Sequence, residues 1–352
     1  MNISVGILAW NEEDSIAKTI ESLLAQSLFD QGGGGLGPVE VICVANGCSD
    51  GTAERAREAF AAHCPVGGGV RARVEEVAER GKENAWNRFV HDFSAREAGY
   101  LVLMDGDVRI GHRRTLENLV AALERDARAH LAGARTIKHV ALKEKKSLRD
   151  RVAVAAGGLR RAKPGVFAGA LYCARASVLR RFALPLVLMG EDAFVHAMVT
   201  TDGFSHASDP TLVAQPEDAT VIFDAYMRLP QVHTNLRRRA VELTINAVLY
   251  TEFWRVNRET GEDAGSLILR RNREDPGWDE RLVREAIRSR GRWVIPRRIM
   301  TRHLRLLHFH SVPKRVLMFP VAVAGFLLNA VAAVSANSAL RKGRIRTLWV
   351  GK

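Results

Sequence analysis

The chain has little that would staple it or export it. Only four cysteines, Cys43, Cys48, Cys64 and Cys173, occur in 352 residues, with no CxxC pair and no regular spacing. That argues against a disulfide framework or a structural zinc site and points to a reducing compartment. The N-terminus, MNISVGILAW, lacks a basic stretch followed by a long apolar run; it reads as a strand, and no signal peptide is expected. No internal repeat is present, and the glycine runs at 32–37 and 67–69 read as surface loops without a phosphate role. Acidic residues almost vanish from the C-terminal end. From Arg281 onward, 16 lysines and arginines stand against one acid, Glu285, a local balance of +15, while the preceding 280 residues carry −2. The formal charge of +13 is therefore the property of a C-terminal module. Such a block suits nucleic acid or an anionic membrane surface, and a solvated helical face is the plain alternative.

What is present is a regular alternation. With 47% hydrophobic residues the chain can bury one large core or two smaller ones. Strand patterns at 3–7, 39–45, 70–77 and 100–104 alternate with helical patterns at 16–24, 53–63, 82–93 and 115–126. This predicts a mostly parallel, doubly wound sheet, on which ligands bind beyond the carboxyl ends of the strands. The second half is less regular: a strand turning into a helix at 166–179, a helix opening with two acids at 190–204, and a long helix from about 229 to 256.

One stretch poses a chemical question. LVLMDGDVRIG, residues 101 to 111, runs four apolar residues into Asp105 and Asp107, separated by a single glycine. Two carboxylates so close repel and are costly to desolvate, so a positive partner is expected, either a divalent cation or an arginine such as Arg109. Three other polar stretches fall at strand ends or helix starts in order: AWNEEDSI (9–16), ANGCSDGT (45–52) and GKENAWN (81–87), with the pair Glu191–Asp192 following later.

Together these stretches resemble a family 2 glycosyltransferase with the GT-A fold, over roughly residues 1 to 240. Leu8, Ala9, Trp10, Asn11 and Glu12 stand where the family has its first strand-end motif. Asn46, Gly47, Cys48, Ser49, Asp50, Gly51 and Thr52 match its second turn, and Gly81, Lys82, Ala85 and Asn87 its lysine turn. Asp105 and Asp107 match its D-x-D, and Glu191 and Asp192 its catalytic acidic pair. The resemblance implies a Rossmann-like α/β sheet. It implies nucleotide-sugar contacts at Leu8, Trp10, Glu12, Val44, Asn46, Lys82, Asp105 and Gly106. It also implies Mg²⁺ or Mn²⁺ at Asp105 and Asp107, with Asp192 as base and Glu191 either orienting the acceptor or binding nearby backbone. A UDP-sugar is the first-choice donor, although Asn46 replaces the aspartate that usually faces the nucleobase. The processive members' Q-x-x-R-W motif is missing; QVHTNLRRR (231–239) lacks the tryptophan and the spacing. Transfer of a single hexosyl or N-acetylhexosaminyl unit to a lipid-linked or glycan acceptor of the cell envelope is the expectation.

The expected organisation is a catalytic domain over 1–240, with a nucleotide-sugar half to about 110 and an acceptor half beyond, then a helical connection over 241–291 and a basic, apolar tail over 292–352. Within that tail Val316–Leu340 is uncharged for 25 residues, with positive charge on both flanks. It is long enough to span a bilayer at the cytoplasmic face, to lie on it, or to pack as a lid on the catalytic domain. Two other readings compete. A sugar nucleotidyltransferase would need a glycine-rich, arginine-containing N-terminal loop, whose place AWNEEDSI occupies. A non-catalytic, nucleic-acid-binding protein would leave the acidic pairs without a role.

Overall fold

The computed structural model describes residues 2–30, 38–64, 70–145, 147, 150, 165, 167–224, 229–309 and 311–343. The glycine runs at 32–37 and 67–69, Val166, Arg228 and residues 344–346 of the C-terminal basic flank lie outside them.

The N-terminal half alternates as the apolar periodicity predicts: β1 Ile3–Ala9, α1 Ile16–Leu24, β2 Val39–Asn46, α2 Thr52–His63, β3 Val70–Val77, α3 Lys82–Arg88, β4 Tyr100–Asp105, β5 Arg109–Ile110 and α4 Thr115–Arg125. Five π-helical residues, Phe89–Phe93, extend α3. Then come β6 Leu131–Gly133, β7 Arg135–Lys138, β8 Leu171–Arg175, α5 Ala176–Leu179, α6 Glu191–Thr200, β9 Val213–Ala214 and β10 Thr220–Phe223. The remainder is helical: α7 Leu229–Thr260, α8 Ala264–Glu274, α9 Trp278–Ser289, α10 Arg297–Met300, α11 Arg302–Leu306 and α12 Val312–Arg341.

Among the described residues, seven strands form the main sheet in the order β3-β2-β1-β4-β8-β6-β9. The first four are mutually parallel, and β8 runs antiparallel to both β4 and β6. A second, three-stranded sheet, β5-β10-β7, was not legible in the sequence, because its strands are too short to show a period. Alternation along β1 explains the layering. Ile3, Val5 and Ile7 face a core shared with Ile20 and Leu23 of α1, Phe60 of α2 and Leu119 and Leu123 of α4. Gly6 faces the other way, where a Cβ would meet the Phe89 ring at 2.7 Å.

Contacts group the chain into two compact units. The first comprises Met1–Leu184, Glu191–Ala225 and Val256–Arg270 and contains both sheets; the second comprises Pro185–Gly190, Tyr226–Arg255 and Arg271–Lys352 and is helical.

Candidate active site

In the first unit, β1 is the point where strand order reverses, with β2 on one side and β4 on the other. Register pairs Leu8 with Asp105 and Ala9 with Ala45, so the carboxyl ends of all three strands finish level. This is where an open α/β sheet binds ligands. Trp10, Asn46 and Asp105 all stand there.

Two loops frame the site, and their polar residues lace them together. Asn11 takes a left-handed conformation, φ 53°, which asparagine tolerates better than most residues. Its Oδ1 accepts from the Ser49 N–H at 2.8 Å. The Glu12 N–H donates to Thr52 Oγ1 at 2.7 Å, the Glu13 N–H to Asp50 Oδ2 at 3.2 Å, and the Gly51 N–H to Glu13 Oε2 at 3.2 Å. Burial would raise the Asp50 pKa, but hydrogen bonds from Thr52 and Glu13 outweigh it and hold the carboxyl below its ordinary value. Cys48 is also woven in, accepting weakly from the Asn11 N–H at 3.4 Å; burial pushes its thiol up, away from the thiolate form that a nucleophile needs. Glu12 accepts from Ser15 Oγ at 2.7 Å, and its side chain lies against Gly106. A Cβ on Gly106 would lie 3.0 Å from Ala9 Cβ, a tight contact that β1 would have to yield to, so glycine suits this close approach.

Two buried polar atoms at these strand ends have no hydrogen-bond partner: Asn46 Oδ1, on a side chain only 2% exposed, and Trp10 Nε1. Buried polar groups are paired almost without exception, so each has a hydrogen bond left to make, with water or with a ligand. Val44 and Leu8 are buried in the strands behind them.

Within the protein, Asp105 finds a positive partner in Lys82. Arg109 instead lies exposed on β5. The Lys82 ammonium, at the first residue of α3, is 2.5 Å from Asp105 Oδ1 and also pairs with Glu191 at the start of α6. One cation thus joins the end of β4 to the opening of a helix almost ninety positions later. Burial works against the Lys82 charge, yet the two carboxylates more than offset it and raise its pKa well above the ordinary lysine value. Burial pushes the Asp105 and Glu191 carboxyls upward; Lys82 opposes this, while Asp107 beside Asp105 and Asp192 beside Glu191 add to it.

Asp192 is more accessible than Glu191. Its Oδ2 accepts from the Gly169 N–H at 3.3 Å and its Oδ1 from the Ala193 N–H at 2.8 Å, in the first turn of α6, where exposed N–H groups favour negative charge. Asp107 is exposed on the turn after β4.

Three residues here went unread in the sequence. Tyr172 on β8 and Trp86 on α3 form the buried floor, joined by a 2.7 Å hydrogen bond from the indole to the phenol oxygen. Tyr172 belongs to no polar motif, and Trp86, although it lies within GKENAWN, is not one of the residues that match the lysine turn. Gly169 precedes β8, and a Cβ there would meet Asp192 Cβ at 2.8 Å and Glu191 Oε1 at 2.9 Å. Gly169→Ala is therefore expected to displace the acidic pair. A misplacement near 1 Å costs about 10²-fold in rate, so turnover should fall by that order while donor affinity, measured by calorimetry, holds. Unchanged turnover would show that the pair has room to spare.

Comparison with known proteins follows the same lines. The model of the family described as "Glycosyl transferase family 2" matches residues 4–184. Among solved structures, the mannosyltransferase PcManGT from Pyrobaculum calidifontis, in complex with GDP-Man and Mn²⁺, superposes with a TM-score of 0.53 at 17% identity, covering 99% of this chain and 88% of that one. TarS 1–349 from S. aureus, in complex with UDP, gives 0.46 at 14% identity, over 97% of this chain and 92% of that one. Glucosyl-3-phosphoglycerate synthase from Mycobacterium tuberculosis gives 0.43 at 20% identity, over 69% and 77%. No curated protein matches the sequence. The family match takes in β1 through β8 and spans half of the chain, with the acidic strand end, the laced loops and Lys82 all inside it; the chain belongs to glycosyl transferase family 2, on a GT-A fold.

Proposed function

We propose that this protein transfers one sugar from a nucleoside-diphosphate sugar to a lipid-linked or glycan hydroxyl, with inversion at the anomeric carbon, at the cytoplasmic face of a membrane. The observation that carries the reading is the meeting of Asp105, Lys82, Glu191 and Asp192 at the carboxyl end of the sheet. Asp192 is the base. It takes the proton of the acceptor hydroxyl as that oxygen bonds to the anomeric carbon, and the bond to the diphosphate breaks on the opposite face. Glu191 orients the acceptor, and Lys82 fixes Glu191 against β4. The unpartnered Asn46 Oδ1 accepts an N–H from the nucleobase, a role that a uracil N3–H fits; this supports UDP as the donor nucleotide.

The donor set also fits a divalent cation. No group of three or more His, Cys, Asp or Glu side chains capable of holding a metal occurs among the described residues. The protein thus offers two carboxylates, Asp105 and Asp107, which suits a hard ion that takes its other ligands from a diphosphate and water. When bound, Mg²⁺ or Mn²⁺ neutralises charge on the departing diphosphate as a Lewis acid.

Thermal-shift and calorimetric titration with UDP- and GDP-sugars, with and without Mn²⁺, tests the reading. A ligand at 100 times its Kd stabilises the fold by about 2.7 kcal/mol. UDP-sugar stabilisation that Mn²⁺ strengthens is expected, with the Mn²⁺-dependent part gone in Asp107→Ala. Absence of any shift with every nucleotide would overturn the proposal.

A further inference from the structure

The second unit carries an inverted helix. Around α12 the buried residues are mostly small or polar, Ala322, Asn329, Ala332, Ala333 and Ala336, with Leu340 near the C-terminal end the large apolar one among the described residues. The residues turned outward are large and apolar: Leu317 is 76% exposed, Val316 71%, Val331 60% and Leu327 57%, with Val321, Leu328 and Val334 on the same side. A helix packed for water does the reverse. Small inward residues let backbones approach closely, which is how helices pack where the surroundings are themselves apolar. A Cβ on Gly325 would meet the His303 ring at 2.7 Å.

The two amide side chains of the uncharged run are bonded within the unit. Asn329 Nδ2 donates to His303 Nδ1 at 2.7 Å, Asn337 Oδ1 accepts from the Val294 N–H at 2.8 Å, and Asn337 Nδ2 donates to the Arg292 carbonyl at 3.1 Å. The outward face is left without an amide. Residues 291–309 back the helix along its length, from the Arg341 guanidinium on the Gly291 carbonyl at one end to Arg315 on the His308 carbonyl, 2.8 Å away, at the other. That backing segment exposes Arg297, Arg298 and Arg305.

By length and composition Arg315–Arg341 is able to cross a membrane. A crossing would carry the backing segment's arginines into hydrocarbon, where charge is expensive. Lying in the surface plane costs no such transfer. The apolar face enters the acyl boundary, and the arginines of the backing segment, with Arg315, Arg341 and Lys342 at the helix ends, meet lipid phosphates. We propose that α12 is an in-plane anchor: it lies along an anionic bilayer surface with its Val–Leu face inserted, and both its ends stay on the same side. This rests on the membrane location proposed above and adds the mode of attachment.

The test uses the full chain with an epitope at each terminus, in inverted inner-membrane vesicles that present the cytoplasmic side to added protease. Co-sedimentation with both epitopes cleaved without detergent is expected. Co-sedimentation with the C-terminal epitope protected would overturn the in-plane mode and leave the membrane location standing. Failure to sediment at all would remove both. In parallel, the purified chain is floated with vesicles of phosphatidylglycerol and phosphatidylcholine. Leu317→Glu with Val331→Glu should cut the floating fraction by about tenfold or more, since a buried aliphatic side chain alone accounts for about that factor. The same pair of changes should leave the melting temperature intact, because both side chains already face outward. A lipid-free dimer that this double variant dissolves would overturn the proposal, since a second copy of the chain would then be the occupant of the face.

Discussion

Asp192→Asn is expected to bind donor as tightly as the parent and to lose turnover by about 10²- to 10⁴-fold, the range a positioned general base supplies. The amide keeps the shape, and its one oxygen still accepts one of the two N–H bonds, from Gly169 or from Ala193. It cannot take a proton from a hydroxyl at neutral pH. Glu191 is no substitute, because its carboxyl is 5% exposed and occupied by Lys82. Rapid-quench turnover at saturating donor, set beside calorimetry of the same preparation, separates the two effects. Turnover near the parental rate would move the base elsewhere in the site.

Lys82→Met should be the most destabilising single change in the site. It leaves Glu191 and Asp105, 5% and 27% exposed, as neighbouring carboxylates with no cation between them. Breaking a buried ion pair by removing one partner costs about 3–5 kcal/mol, chiefly the penalty of the stranded charge. A loss of about that size in urea unfolding is expected. Lys82→Arg should recover only part of it, because a planar fork does not replace a compact ammonium at this contact. Wild-type stability in the methionine variant would mean that water reaches these carboxylates freely.

The legibility of this chain in its sequence followed the length of its elements. β1 to β4 and α1 to α4 were readable because each repeats its period several times over, and the acidic pair at 191–192 because it opens a helix. β5, β7 and β10 were not readable, since strands of two to four residues carry no period. Residue types were more legible than their partners. Asp105 plainly needed a positive neighbour, a divalent cation or an arginine such as Arg109, and folding adds Lys82 from the start of α3, which sequence distance did not point to. Asn329 and Asn337 made the C-terminal run look only moderately apolar. Which side of the helix they occupy is a matter of tertiary contact, and both point inward.

The lacing of Asn11, Glu12 and Glu13 to Ser49, Asp50, Gly51 and Thr52 sets a rule for anyone grafting new donor preferences onto this scaffold. Each loop supplies hydrogen-bond donors that the other accepts. A chimera that imports one loop from a relative leaves the complementary groups of its neighbour to water and loosens the geometry at the strand ends. The two segments are one interchangeable cassette, to be moved together or not at all.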